Sequence, residues 1–159
     1  MEELRPGLWT WTGDHPEWTR EMTWGPEVRS YAVRLEDLTV LFDPIEPAPQ
    51  ADAVLLTVPW HRRATDQLGL PVLDVPPAGV EAYPGFFSEE LAYYLPAHRA
   101  IVLGDAFMDE GPGPTEWASD DPEAPGRLRA LLALPFELVL PTHGDVADRD
   151  AFEASLADD

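Results

Sequence analysis

A single α/β domain, with helices covering a central sheet or sheet pair, is the fold this 159-residue chain predicts. Two observations predict it. Apolar runs such as "AVLLTV" (53–58) and "AIVL" (100–103) are continuous, as in strands buried on both faces. An early hairpin is followed by strand–helix–strand units. The length fits one domain over 1–159, and 45% apolar residues suffice for a real core.

Each element has its own warrant. "GLWTWTG" (7–13) alternates and reads as a strand; 13–27 has no period and reads as a turn-rich loop. "VRSYAVRL" (28–35) and "LTVLFDP" (38–44) form a hairpin turning at Glu36-Asp37. Trp9 and Trp11 share a strand face and read as core. After a Pro-rich connector come the strand 53–58 and a short helix (64–70) ending near Gly69. "PVLDV" (71–75), "GVEAYPG" (79–85) and "EELAYYLP" (89–96) read as strands, as does the buried run from 100. Residues 108–126 are a long Pro/Gly loop. "RLRALLAL" (127–134) is helical, starting as early as Pro122 with Asp121 as N-cap. "ELVLPTHGD" (137–145) is a strand entering a turn, and 148–159 is a closing helix capped by Asp148. His15 and His98 read as surface residues.

Composition excludes several classes. Thirty acidic residues face ten basic ones, all Arg, for a net charge of -20. Such a surface repels phosphate backbones and anionic lipid, so neither nucleic acid nor membrane is expected as a partner. No apolar run approaches a membrane span, and the acidic start does not resemble a signal peptide. The absence of Cys removes disulfides, thiolate metal sites and a Cys nucleophile. The expected location is the cytoplasm. There is no G-x-S-x-G elbow, phosphate loop or dinucleotide fingerprint.

Chemistry concentrates at three strand ends. Residues 57–63 follow one strand, Gly104-Asp105 another, and Thr142-His143-Gly144-Asp145 a third. Ends of neighbouring strands converge on one crevice, so His61, Asp105 and His143 are expected to meet. Two His and one carboxylate form a legitimate zinc set with an open position.

The series "LFDP", "LLTVPWHRR", "LGDA" and "LPTHGD" resembles the metallo-β-lactamase-fold hydrolases over residues 7 to 157. The resemblance implies a shortened αββα sandwich. It makes Asp43 a strand-end group behind the site, Asp105 the carboxylate that touches both metals, and His143 the last His ligand. The central motif departs from the family's T-H-x-H-x-D-H. Val58 and Trp60 stand at the first two His positions, Arg62 at the Asp and Arg63 at the last His. Phe86 of "YPGFF" stands at a further His. Val, Trp and Phe offer no useful lone pair, and Arg has only donors. A guanidinium about 4 Å from a divalent ion costs on the order of 8 kcal/mol at an effective dielectric of about 20.

Three function classes follow. In the first, the dinuclear site is lost, no cofactor is bound, and the protein is not an enzyme. Arg62 or Arg63 then pairs with Asp105, and Arg62, Arg63 and Trp60 form a site for a small anionic molecule. The plainer reading makes the two arginines a solvated surface pair. In the second, His61, Asp105 and His143 hold one Zn²⁺ for hydrolysis, although His61 falls on a position that is no ligand in the family. In the third, the chain has an interaction role, with a homodimer through its Trp-rich N-terminus.

Overall fold

The computed structural model describes residues 1–22, 24–63, 65–106 and 121–156. Two five-stranded sheets lie face to face. The first holds β1 (Glu2–Arg5), β2 (Leu8–Asp14), β3 (Glu27–Arg34), β4 (Thr39–Phe42) and β5 (Ala53–Leu55), in that order. Its pairings are antiparallel except the parallel β4–β5. The chain then forms the short α1 (Thr65–Leu68) and enters the second sheet. That sheet comprises β6 (Glu81–Pro84), β7 (Leu91–Leu95), β8 (Ala100–Val102), β9 (Leu138–Leu140) and β10 (Ala147–Asp148). Between β8 and β9, which run parallel, lies α2 (Ala124–Leu131); α3 (Arg149–Ser155) follows β10.

Strand alternation builds three cores. Tyr31, Val33, Val40, Phe42 and Leu55 of the first sheet meet Tyr93, Leu95, Val102 and Leu140 of the second. The intervening residues point the other way. Ala32, Leu41 and Val54 pack under Trp11, Leu68 and Val72. Tyr94, Ile101 and Val139 pack under α2 and α3. Helix α2 presents Ala124, Leu128 and Leu131, at i, i+4 and i+7, to that layer. Both faces of each sheet are therefore covered, which is why the strand sequences are continuously apolar.

Several expectations need correction. Residues 71–75 form no strand; they make one isolated bridge, Val54 to Val72. The strands β1 and β10 carry no apolar run and were not expected. Asp121 does not cap α2: its carboxylate accepts the Glu123 N–H, and Glu123 is the cap position. Asp148 does cap α3, accepting from Ala151 N at 2.8 Å. Trp11 is buried and donates to Ile45 O, with Trp9 packed beside it under Arg34. His98 is buried rather than exposed. Most of the predicted loop 108–126, with Trp117, lies outside the described residues, and α2 starts within its end.

Candidate functional site

Four strand ends deliver the polar side chains. Asp43 follows β4 in a left-handed backbone conformation (φ 45°), and its buried carboxylate receives Thr57. Thr57 N donates to Oδ1 at 2.9 Å and Thr57 Oγ1 to Oδ2 at 2.5 Å. Past β5, residues Pro59–Arg62 make one 3₁₀ turn opened by the proline. This turn sends neighbouring side chains in opposite directions. His61 goes inward and is 1% exposed, while Trp60 is 50% exposed. Arg62 also points outward and pairs with Asp66 at 3.0 Å.

His61 lies between two carboxylates. Its Nδ1 is 3.1 Å from Asp43 Oδ2, and its Nε2 is 2.8 Å from Asp105 Oδ1. His143 Nε2 approaches the same Asp105 oxygen at 3.3 Å. Both Nε2 contacts lie off the hydrogen-bonding line. The other oxygen, Asp105 Oδ2, accepts the Trp60 indole N–H at 2.7 Å. The turn carrying His143 is fixed from β3: Tyr31 OH donates to Pro141 O at 2.6 Å, and Arg29 binds Gly144 O and Asp145. Gly144 has φ 88°, which permits the turn. Trp24 packs edge-on against His143 at 4.7 Å and against His15 at 5.0 Å.

Electrostatics follow from this geometry. Burial alone would lower the His61 pKa; Asp43 and Asp105 outweigh it and raise it to about 9. Burial would raise Asp105, but its contacts with His143, His61 and Trp60 hold it well below the usual carboxylate range. Arg63 is lowered by burial against the fields of Asp43, Asp105 and Glu17. Its Nε and Nη1 are buried with no hydrogen-bond acceptor, and its backbone is strained at φ 21°. His15 is lowered to about 4 by burial and by Arg63 and His143, so it is neutral near pH 7.

A dinuclear metal centre does not fit these residues. At the five replaced positions, Val58, Trp60, Arg62, Arg63 and Phe86 supply no lone pair. A carboxylate at each His61 ring nitrogen favours its protonated form, which offers no lone pair to a metal. Among the described residues no group of three or more His, Asp or Glu side chains is arranged to hold a metal ion.

The structure thus brings together His61, Asp105 and His143, with Trp60 bonded to the carboxylate. It does not form the expected arginine–Asp105 pair. Tryptophan and the two histidines have taken the Asp105 oxygens, Arg62 is outside, and Arg63 faces the cluster without an ion-pair contact. His61 reaches Asp105 although it falls on a position that is no ligand in the family, because the 3₁₀ turn aims it inward. Sequence reasoning missed the direct Asp43–Thr57–His61 connection and the buried Glu90.

No protein-family model and no curated protein sequence matches the chain. Solved structures do. The chain superposes on the metallo-β-lactamase of Erythrobacter litoralis with a TM-score of 0.70 at 15% identity, over 98% of this chain and 89% of that one. For the metallo-β-lactamase of Pontibacter korlensis the TM-score is 0.69 at 15% identity, over 98% and 95%. For the DIM-1 metallo-β-lactamase it is 0.71 at 10% identity, over 98% and 93%. At these identities the likeness is one of architecture, and it agrees with the two packed sheets and their covering helices. The chain therefore has the metallo-β-lactamase fold.

Proposed function

We propose that this is a non-catalytic metallo-β-lactamase-fold protein that binds no metal cofactor. Side-chain cations stand where the fold's metals would stand, and a small anion is held through Arg63. The observation that carries the reading is His61, wedged between Asp43 and Asp105 with a carboxylate at each ring nitrogen. The Asp43 and Asp105 carboxylates are balanced by the His61 imidazolium and the Arg63 guanidinium, so the cluster needs no divalent ion for neutrality. Arg63 has two N–H groups without acceptors, which favours an anionic partner over solvent-only contact. Trp60 forms the rim, and Arg62, paired with Asp66, has a minor role. The lack of cysteine and the acidic surface fit a cytoplasmic protein that avoids nucleic acid and anionic lipid. No helix among the described residues is long and apolar enough to cross a membrane.

Isothermal titration with acetate and with phosphate tests the anion site. Heat of binding in the wild type that disappears in Arg63→Ala supports it; absence of heat in both proteins removes the anion role. One observation favours a second reading. His61, Asp105 and His143 meet around a single carboxylate oxygen, and two His with one carboxylate are residue types that a one-zinc hydrolase uses. Zinc bound by the wild type and lost in both His61→Ala and His143→Ala would establish that reading instead.

A further inference from the structure

Glu90 is 2% exposed, faces no cation within ion-pair distance among the described residues, and has no part in the cluster above. Its carboxylate accepts three backbone N–H groups from two different loops. Oε2 takes Phe86 N at 2.7 Å and Phe87 N at 3.1 Å, and Oε1 takes Gly104 N at 2.9 Å. Gly104 immediately precedes Asp105. Phe87 packs edge-on against Trp60 at 5.8 Å, and Trp60 bonds Asp105. One residue on, Leu91 N donates to Thr57 O, which joins Glu90's own strand to the turn that carries His61.

The surrounding chain is shaped to this side chain. A Cβ on Gly85 would lie 2.5 Å from Glu90 Cγ, and one on Gly104 would lie 2.8 Å from Glu90 Oε1. Only glycine fits on either flank. From the other side, Arg127 of α2 donates to the carbonyls of Gly85 and Phe86. The segment 85–87 is thus held by its N–H groups through an anion and by its carbonyls through a cation.

We infer that Glu90 is a positioning residue: its carboxylate ties the loop between β6 and β7 to the end of β8, and so presets Asp105 and Trp60. This deepens the metal-free reading, on which it rests, by naming what cross-links those loops. A carboxylate that accepts several backbone N–H groups makes charge-assisted bonds, about twice as strong as neutral ones. Burying it among glycines keeps water from competing for them.

The test is amide hydrogen exchange by NMR on the wild type, Glu90→Gln and the control Glu89→Gln. Glu90→Gln is expected to speed exchange at Phe86, Phe87 and Gly104 by roughly tenfold or more, the loss expected for a hydrogen bond to a charged group. It is also expected to shift the Trp60 indole N–H resonance, which reports the bond to Asp105. Amides in β2 and β3 should be unchanged, and Glu89→Gln should resemble wild type throughout. Unchanged exchange at the three amides, or an unmoved Trp60 resonance, overturns the assignment. Should Glu90→Gln fail to fold, the wild type decides: the three amides must be as protected as those of β7, and exchange as fast as the Glu89 amide overturns the role. None of these readouts depends on metal content, so failure here leaves the metal-free reading standing, and failure of that reading is seen separately.

Discussion

His61 shows most clearly how one side chain sets the properties of this molecule. It is buried with a carboxylate at each ring nitrogen, which favours the imidazolium, and removing it leaves the buried Asp43 and the largely buried Asp105 without that partner. His61→Ala is expected to lose about 3–5 kcal/mol of stability, the usual cost of breaking a buried ion pair from one side, read from urea unfolding. The pH dependence has a definite sign. The folded pKa of His61 is raised from 6.5 to about 9, so its contribution is complete below pH 6.5 and is lost as pH rises to 9. Burial pushes Glu90 up to about 7 against its three N–H donors, so the folded state also binds protons more readily between pH 4.5 and 7. Asp105 is held low, and its contribution is lost as pH falls below 3.8. Stability is therefore expected to peak on the acidic side, between about pH 4 and 6, and to fall by up to about 3 kcal/mol from pH 6.5 to 9 through His61 alone. Denaturation midpoints across pH 4–9.5 check this; a flat profile from 6.5 to 9 would mean that His61 is not an imidazolium. At this scale Asp105 and His143 were legible because each ends a recognisable strand. The contact of His61 with Asp43 was not, since a 3₁₀ turn rather than a strand or helix sets the direction of its ring. Glu90 was not legible either: in "SEELAYY" it looks like one of two solvated acids at a strand start.

The elements hold the site through close backbone approach as much as through side chains. At Gly104, a Cβ would sit 2.3 Å from Thr57 Oγ1 and 2.8 Å from Glu90 Oε1. Gly104→Ala is expected to cost about 2 kcal/mol or more, because both neighbours are buried and hydrogen-bonded, so neither can move freely. Thermal unfolding of this variant reads the loss. Asp148→Ala, remote from the site, should cost about 1 kcal/mol through the N-cap of α3 and leave the Trp60 and His61 resonances unmoved. The central strands were readable because burial on both faces makes them continuously apolar. The edge strands β1 and β10 were not, because "EELR" and "AD" have no periodic signal and pair only through the backbone of a neighbour. "PVLDV" misled for the opposite reason: Val72 packs on the outer face of the first sheet and Leu73 against the core between the sheets, but the segment meets β5 through a single bridge only.

Across the whole molecule, a formal charge of -20 on 159 residues opposes compaction by self-repulsion. Adding salt to about 0.5 M is expected to raise the melting temperature by several degrees, since screening is nearly complete over a few ångströms at that strength. Unchanged melting would mean that local pairs such as Arg29–Asp145 and Arg127–Asp121 already absorb the repulsion. Against this background four strand ends converge on one point, where His61 lies between the carboxylates of Asp43 and Asp105; the proposed function reads this cluster as metal-free. The measurement that tests this most directly is metal content by mass spectrometry on protein purified without a His tag or chelator, before and after incubation with zinc. Less than about a tenth of an equivalent of any transition metal in both samples is the predicted result. One zinc, manganese or iron per chain would contradict it and assign His61, Asp105 and His143 as the ligands.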